Sequence, residues 1–531
     1  MSPDPDNRRG GRPSHPGIEM MEAQYGAAYK WLVIIAGLLG SMSMVLSATM
    51  VNVAIPSIMG AYGVGQNLAQ WAATAFLTTM VASQLLNAWM VGAFGQRIIF
   101  CFALAFFSLG SLIGATSPNI ETLILGRIMQ GFSAGLIQPL VLALVVAVFP
   151  AERRGLAVGV YGMGVTLAPS FGPFFGGLVI DAFTWRHIFI APVPIVMIAL
   201  SLGLVIMPPK GSRVSLPAFN WAGYILVATT LMCLMSVIGN GQRWGWSSDR
   251  SLIFLVVGLS AGILFIYTQG RSKSPLMDVT LFTDLRFTAA MFIGFAFGVG
   301  NFATNYAIPV FVQTVHGFTP TEAGLVIVPA GLVLIALIPL SGRLADRVPS
   351  HYPLMAGCLI FAVAAFLLSL SDVNTSFWTI AAIAILSRGA IGIVMPNLGK
   401  TAMGSVPLEK LDQGAGTYNF IRQMGGAFGV NVTALSIDLR TAHHADILTA
   451  TQTSSNVESL EVLERISKLL HEEGMPSLAT QSGALNYLSD VIYAQALTFG
   501  FQDSFIQICF AFCVAFIPAW FLGRAVSARR L

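Results

Sequence analysis

Long apolar runs separated by short polar stretches occupy most of the chain. A helix needs about 20 mostly apolar residues to cross the hydrocarbon core of a bilayer, and about fourteen runs meet this length. They lie near residues 31–55, 70–92, 98–117, 122–147, 155–180, 187–207, 219–239, 251–269, 287–314, 321–342, 353–371, 376–399, 413–438 and 501–523. In chain order these runs form a group of six, a pair and a second group of six. The pattern predicts an all-α polytopic membrane protein with two six-helix bundles and two extra central helices.

This grouping divides the chain into four parts. We expect a disordered cytoplasmic tail at 1–30, an N-terminal six-helix bundle at 31–207, two linker helices at 208–270 and a C-terminal six-helix bundle at 271–531. The last part includes a long outer loop, residues 440–498. Most of the Lys and Arg residues in the loops lie on the same side of the predicted membrane as the N-terminus. Because basic residues concentrate in cytoplasmic loops, both termini are expected in the cytoplasm.

The composition agrees with a membrane location. Hydrophobic residues make up 55% of the chain and charged residues only 10%, whereas roughly 25% of a soluble domain is charged. The net charge of +4 reports membrane orientation rather than nucleic-acid binding. The five cysteines show no CxxC spacing, so neither a metal site nor a disulfide framework is indicated. Because HExxH, GxSxG and phosphate-loop motifs are missing, the sequence predicts neither an enzyme nor a bound cofactor.

The fifth predicted span is unusually rich in glycine and proline. Such residues destabilise a soluble helix, but in a membrane small residues let two helices approach at backbone contact, and neighbouring helices satisfy the groups that proline frees. We therefore expect a close-packing hinge that opens or seals a cavity. Its residues are Gly164, Gly172, Pro173, Gly176 and Gly177.

Three arginines lie inside predicted spans, where ionisable groups are functional candidates. Arg388 and Arg422 lie near the bilayer midplane, and Arg127 lies in the outer third of its span. No Asp or Glu lies well inside a span, which favours anionic or neutral amphiphiles over organic cations as substrates. The alternative is that these arginines bond helices together, for example Arg127 with Gln130 one turn further on.

Uncharged polar residues supply further candidates for a central site. Asn301 and Asn305 share one face of the ninth span, and Tyr306 follows them. They either line a transport cavity or hydrogen-bond neighbouring helices. Weaker candidates for cavity lining are Asn52, Gln138 and Asn397. His187, at the outer end of the sixth span, is a candidate proton carrier because histidine titrates near neutral pH, and the alternative is an ordinary interfacial histidine. The other candidate proton carriers are the carboxylates at span ends, Glu121, Asp181 and Glu322.

The outer loop contains an amphipathic stretch between Val457 and Leu470, with apolar residues at helical spacing and charged residues between them. Two interpretations remain open. The stretch is part of a helical hairpin packed on the rim of the membrane domain, or it docks a partner protein.

Several local motifs resemble the major facilitator superfamily, specifically its fourteen-helix drug/proton antiporter branch of the EmrB/QacA type. The motifs are Thr49-Met-Val-Asn-Val-Ala-Ile-Pro56, Gly126-Arg-Ile-Met-Gln-Gly131, Trp185-Arg-His-Ile-Phe189 and Asn419-Phe-Ile-Arg-Gln-Met-Gly-Gly426, with the glycine-rich fifth span between them. The chain departs from the family pattern at Ser47, where the family usually carries Asp. The family's cytoplasmic gate motif is degraded in the first half, and the second half retains Asp346 and Arg347.

The resemblance implies a secondary transporter of the bacterial inner membrane that exports hydrophobic or amphipathic compounds by proton-coupled alternating access. The arginines inside the spans favour anionic or neutral compounds among them. The resemblance also implies a periplasmic membrane-fusion adaptor as a partner of loop 440–498. One alternative is an exporter or flippase of lipids or fatty-acid-like molecules with weak or no proton coupling. Another is a membrane sensor or scaffold, although the cytoplasmic segments are too short to hold an output domain.

Overall fold

A computed structural model of the chain describes residues 16–149, 154–209, 218–272, 275–407, 410–453, 456–473 and 476–527. The described residues form helices and connecting segments without any strand. Within the described ranges, twelve helices are long and apolar enough to cross a membrane. Two further long helices, Trp71–Phe94 and Leu411–Ala450, pack inside the bundle but are not among these twelve because they carry more polar residues. The all-α membrane architecture is confirmed, and the count of fourteen spans stays a prediction.

The helices of the first half are α1 Pro16–Tyr25, α2 Tyr29–Tyr62, α3 Gln66–Ala69, α4 Trp71–Phe94, α5 Gln96–Ala115, α6 Ile120–Val148, α7 Arg154–Ala182, α8 His187–Ile190 and α9 Val193–Ile206. The central pair is α10 Trp221–Trp244 and α11 Asp249–Gln269. The second half contains α12 Leu285–Thr314, α13 Pro320–Leu325, α14 Val328–Arg347, α15 His351–Ser369, α16 Phe377–Gly404, α17 Leu411–Ala450, α18 Val457–Glu472 and α19 Ser477–Ser527.

We call the end of the bundle where α2 begins the proximal end and the end where α2 finishes the distal end. The two halves meet where α12 contacts α2, α13 and α14 contact α7, and α17 contacts α4. The pair α10 and α11 packs against this last contact, since α10 touches both α4 and α17. The interface between the halves is therefore formed by the helices that carry most of the predicted site residues.

Residues 16–30, which the sequence predicts as part of a disordered tail, are helical. The apolar side of α1 is buried, with Met21 only 2% exposed, and Gly17 lies against the backbone of Pro209. Burial of this apolar face offsets the conformational entropy lost on ordering the segment. Residues 1–15 lie outside the described part of the chain.

The proximal loops of the second half are joined by an ion pair. The Lys410 ammonium lies 2.6 Å from the Asp278 carboxylate. This contact ties the segment before α12 to the start of α17.

The predicted outer loop is largely a continuation of the membrane helices. Helix α17 has 40 residues and α19 has 51, which correspond to lengths of about 60 and 76 Å. Both exceed the roughly 30 Å of a bilayer core, so they project beyond it at the distal end. The amphipathic stretch forms α18, which packs against α19.

Candidate functional site

Arg388 and Asn301 form the centre of the polar cluster between the helices. Arg388 lies eleven residues into α16, or about 16 Å from the distal end of this helix, near the middle of a bilayer core. Its side chain is 2% exposed. One guanidinium nitrogen, Nη1, donates to Asn301 Oδ1 and lies 3.5 Å from the Asn301 carbonyl oxygen. The other, Nη2, is buried and bonds to no described residue, so one N–H pair of a fixed cation remains to bind an acceptor.

Asn305 and Tyr306 connect this centre to the first half. Both are fully buried. Asn52 of α2 donates to the backbone carbonyl of Asn305 at 3.1 Å, and Gln66 of α3 donates to the Tyr306 hydroxyl at 3.1 Å. The Oδ1 atoms of Asn52 and Asn305 are buried without a partner among the described residues. The structure thus places three predicted site residues at the contact between the halves.

A second polar contact between the halves lies deeper in the bundle. Gln423 of α17 donates to Gln138 of α6 at 3.4 Å, and the Gln423 Oε1 atom is buried and unpartnered among the described residues. Arg422, next to Gln423, is half-buried. Its backbone carbonyl oxygen closely approaches Gly298 of α12, which allows α12 and α17 to pack at backbone distance.

Arg127 is fully buried and is held mainly by neutral acceptors. Its Nε donates to the Ala72 carbonyl at 2.5 Å and its Nη1 to Gln130 Oε1 at 2.8 Å. Nη1 also lies 3.3 Å from both oxygens of Ser47, and the guanidinium stacks 4.4 Å above the Phe76 ring. The position where the family usually carries Asp therefore contacts Arg127, and the serine there offers this cation no counter-charge.

The glycine-rich helix α7 packs at backbone distance against both halves. Gly172 and Gly176 face α2, where a Cβ atom would lie 3.0 Å from Thr49 Cβ and from the Met50 carbonyl oxygen respectively. Gly164 faces Leu38, which also belongs to α2.

The distal part of α7 meets the second half instead. A Cβ atom at Gly177 would overlap the Pro320 carbonyl oxygen of α13 and would lie 2.6 Å from Thr321 Cα. The carbonyl oxygen of Pro173 packs equally closely on Gly324. The small residues of α7 therefore permit the distal contact between the halves.

The remaining predicted residues lie away from this central cluster. Asn397 is buried and donates to Ser341 and to the Ile393 carbonyl, so it joins α14 to α16 within one half. His187 is exposed at the distal end and bonds to Thr184 at 2.8 Å. Asp346 and Arg347 belong to α14, and their side chains lie outside the described part of the chain.

Sequence reasoning did not assign a contact to Gln66 or Ser47, and it did not identify the partner of Gln423. Each is a polar residue in or beside an apolar span, which is a usable signal, but its partner is distant in sequence. The assembled cluster combines a fixed cation, several amide groups and apolar surroundings. Such an arrangement binds a polar head group while apolar walls hold the rest of a ligand.

Comparisons with known proteins agree with this architecture. Residues 37–430 match the family model of the Major Facilitator Superfamily. The chain is 27% identical to the probable multidrug resistance protein EmrY of Escherichia coli over 94% of its own length and 96% of the relative. It is 28% identical to the lincomycin resistance protein LmrB of Listeria monocytogenes, with 77% of this chain and 85% of the relative covered.

A solved structure shares the fold. It is the inward-facing, unoccupied form of a bacterial homologue of the human lysosomal transporter Spinster. The TM-score is 0.62 at 14% identity, and the match covers 94% of this chain and 98% of the other. With the family model matching most of the chain and the described helices forming the same fold, the chain belongs to the Major Facilitator Superfamily and is a multi-pass membrane transporter.

Proposed function

We propose that this transporter exports hydrophobic or amphipathic compounds that are anionic or neutral, by proton-coupled alternating access across the bacterial inner membrane. The proximal end faces the cytoplasm in this proposal. The observation that carries it is the buried Arg388, whose Nη1 donates to Asn301 and whose buried Nη2 has no partner among the described residues. The relatives named for multidrug and lincomycin resistance support export of small molecules.

The charge of the site favours an acceptor over a cation. Arg388 and Arg422 are the basic residues of the central region, and α12, α16 and α17 carry no carboxylate near the middle of the bilayer. An anionic head group would bind at Arg388 and receive further hydrogen bonds from Asn301 or Asn305. A neutral ligand with carbonyl or hydroxyl acceptors would use the same donors.

The contacts between the halves support alternating access. The pairs Asn52–Asn305 and Gln66–Tyr306 and the contact of Gly177 with Pro320 all lie in the distal part of the bundle. Substrate would therefore enter from the proximal side once the Gln423–Gln138 contact separates. Release requires these contacts to separate, and Asp346 and Arg347 would then hold the cytoplasmic side of the second half closed.

A periplasmic membrane-fusion adaptor is the proposed partner of loop 440–498. Apolar side chains on α18 are exposed, among them Val457 and Leu469 at 65% and 55%. An adaptor that covers them would connect the distal exit to a second membrane.

Ligand binding tests the substrate class. Affinities of an anionic and a cationic amphiphile of equal chain length are measured on the purified parent protein and on Arg388→Gln and Arg422→Gln. A hydrogen bond to a charged group contributes about 1.5–3 kcal/mol, so anion affinity should fall about 10- to 150-fold in Arg388→Gln. Arg343→Gln, at an exposed position of α14, is the control for loss of charge. Equal anion affinity in Arg388→Gln and the parent would overturn the assignment.

Proton coupling is tested separately in reconstituted vesicles. Export should accelerate when an inward-directed proton gradient is imposed and slow when an uncoupler removes it. An export rate that changes under neither treatment favours the uncoupled exporter of lipids or fatty-acid-like molecules. Binding without any transport favours the sensor or scaffold.

A further inference from the structure

Asp181 joins the two halves at their distal end. It lies near the C-terminal end of α7 in the first half, and its carboxylate accepts a 2.9 Å hydrogen bond from the backbone N–H of Thr321. Thr321 is the second residue of α13, in the second half. The first N–H groups of a helix have no partner within the helix and carry partial positive charge. A carboxylate from the opposite half therefore stabilises this contact.

Asp438 occupies the equivalent position in the second half. It lies 27 residues after the first residue of α17, as Asp181 lies 27 residues after the first residue of α7. Helix α17 packs against α3 of the first half, and the backbone N–H of Asn67 favours the ionised form of the Asp438 carboxyl group. Asn67 is the second residue of α3, in the first half.

The two contacts occupy equivalent positions in the two halves. Helices α7 and α17 are the fifth long helices of their respective bundles, and α13 and α3 are the short helices that precede the second long helix of each bundle. In each case the carboxylate lies on the fifth long helix of one half, and that helix packs against the short helix of the other half. The internal repeat therefore places two matching carboxylates at the two distal contacts between the halves.

We propose that Asp181 and Asp438 form a two-point latch that holds the distal side of the transporter closed, and that protonation of Asp438 releases its half of the latch. This inference rests on the proposed alternating access and adds the control of its distal gate. An ionised carboxylate accepts hydrogen bonds about twice as strongly as a neutral group. Proton binding therefore weakens the hold of Asp438 on the first half.

The surroundings of the two carboxylates differ. Because of this difference, Asp438 is the one of the two that we expect to be protonated. Asp181 is exposed, whereas Asp438 is half-buried. The titratable groups that interact with Asp438 are the phenols of Tyr306 in α12 and Tyr493 in α19. A phenol is neutral at physiological pH and gives the carboxylate no counter-charge.

The cationic side chains on the neighbouring helices do not supply the missing counter-charge for Asp438. Arg440, two residues further along α17, pairs with Asp503 of α19 together with His444. Arg243, near the distal end of α10, is exposed. Among the described residues Asp438 forms no ion pair, and α3 and the distal part of α4 contribute no charged side chain.

The distance between the distal ends of the two halves tests the latch. Spin labels are attached to Ala61→Cys and Asn374→Cys, two exposed distal positions in the first and second halves, in a variant whose five native cysteines are replaced. Distance distributions are recorded in lipid without substrate, at about pH 8 and about pH 5, a range that spans most carboxyl groups of moderately raised pKa. Because no transport is measured, failure of the latch and failure of the proposed export function give separate results.

We expect the parent to shift toward longer distances at the acidic pH. Asp438→Asn, which imitates the protonated carboxyl group, should favour the longer distances at both pH values, with the ratio of long to short populations raised about tenfold or more. Asp438→Glu keeps a carboxyl group and should retain the pH response. This variant is the control for loss of folding on substitution of Asp438. Asp181→Asn should also favour longer distances but keep the pH response. Asp503→Asn, which removes a distal carboxylate bonded only within the second half, is the matched control.

Two results would overturn the inference. One is an Asp438→Asn distribution that equals the parent distribution at about pH 8. The other is a pH response of Asp438→Asn as large as that of the parent. An Asp181→Asn distribution identical to that of the parent would remove Asp181 from the latch.

Discussion

Replacing Gly177 by alanine should shift the transporter away from its distal-closed conformation. The added Cβ would lie 2.6 Å from Thr321 Cα, whereas carbon atoms in optimal contact are about 3.5–4.0 Å apart. Helices α7 and α13 would have to separate by about 1 Å, and overpacking of this kind costs about 1–3 kcal/mol. Because the strain exists only while the halves touch, the distal-open population should rise about 5- to 150-fold relative to the closed one.

The matched control is Gly162→Ala in the same helix, where a Cβ atom would meet nothing within 4 Å. Both substitutions raise helix propensity by about 1 kcal/mol, so their difference isolates the contact with α13. The assay is the distance between spin labels on Ala61→Cys and Asn374→Cys, together with the thermal unfolding midpoint of each variant. If both variants give the same distance distribution, the packing argument for α7 is refuted.

Three further perturbations follow from the structure. The substitution Ser47→Asp should form a buried ion pair with Arg127. Because an attraction of about 4 kcal/mol at 4 Å is offset by several kcal/mol of desolvation, the thermal stability of the protein should change little. The double variant with Arg127→Gln should be about 3–5 kcal/mol less stable than Ser47→Asp alone, and equal unfolding midpoints would contradict the pairing. Partial burial acts to raise the pKa of Asp278, but hydrogen bonds from Lys410 and a neighbouring threonine outweigh it and hold that pKa below its ordinary value. The stability from this pair is therefore present above the unfolded-state pKa and is lost as pH falls through the folded-state pKa. Asp278→Asn should lower the free energy of unfolding by about 0.5–1 kcal/mol near neutral pH and should not change it in strong acid. A loss of stability that does not depend on pH would argue against the ion pair. Deleting residues 450–485 should abolish export from cells that contain the adaptor and leave ligand binding by the purified protein unchanged, whereas undiminished cellular export would exclude docking at this loop.

The sequence predicts the helices well because each apolar run is a local signal, and burial of the backbone in lipid forces helical hydrogen bonding. It also predicts that Arg388, Asn301 and Asn305 belong to one polar region. It cannot predict that the carbonyl oxygen of Asn305 accepts from Asn52, since the two residues are 253 positions apart and their contact depends on how the halves pack. The contact between Ser47 and Arg127 has the same origin.

Element lengths show another limit of sequence patterns. The hydropathy signal of the thirteenth predicted span ends near residue 438, but α17 continues to Ala450. Beyond the bilayer a helix needs no apolar run, because contacts with its neighbours and with water stabilise its polar surface. Hydropathy therefore locates the membrane portion of such a helix and not its end.

The long helices α17 and α19 give the second half a rigid arm at its distal end. Their distal ends lie roughly 35 Å (α17) and 50 Å (α19) beyond the middle of the bilayer, given about 1.5 Å of rise per residue counted from the centres of the predicted spans. If the second half rotates by about 15° during its transport cycle, a rotation like that of other allosteric subunits, the tip of this arm moves by about 9–13 Å. Under that proposal, the arm would convert a small rotation near the substrate into a large displacement outside the membrane. A protein bound to α18 would move by the same distance once per transport cycle. The transporter would therefore do mechanical work on the bound protein.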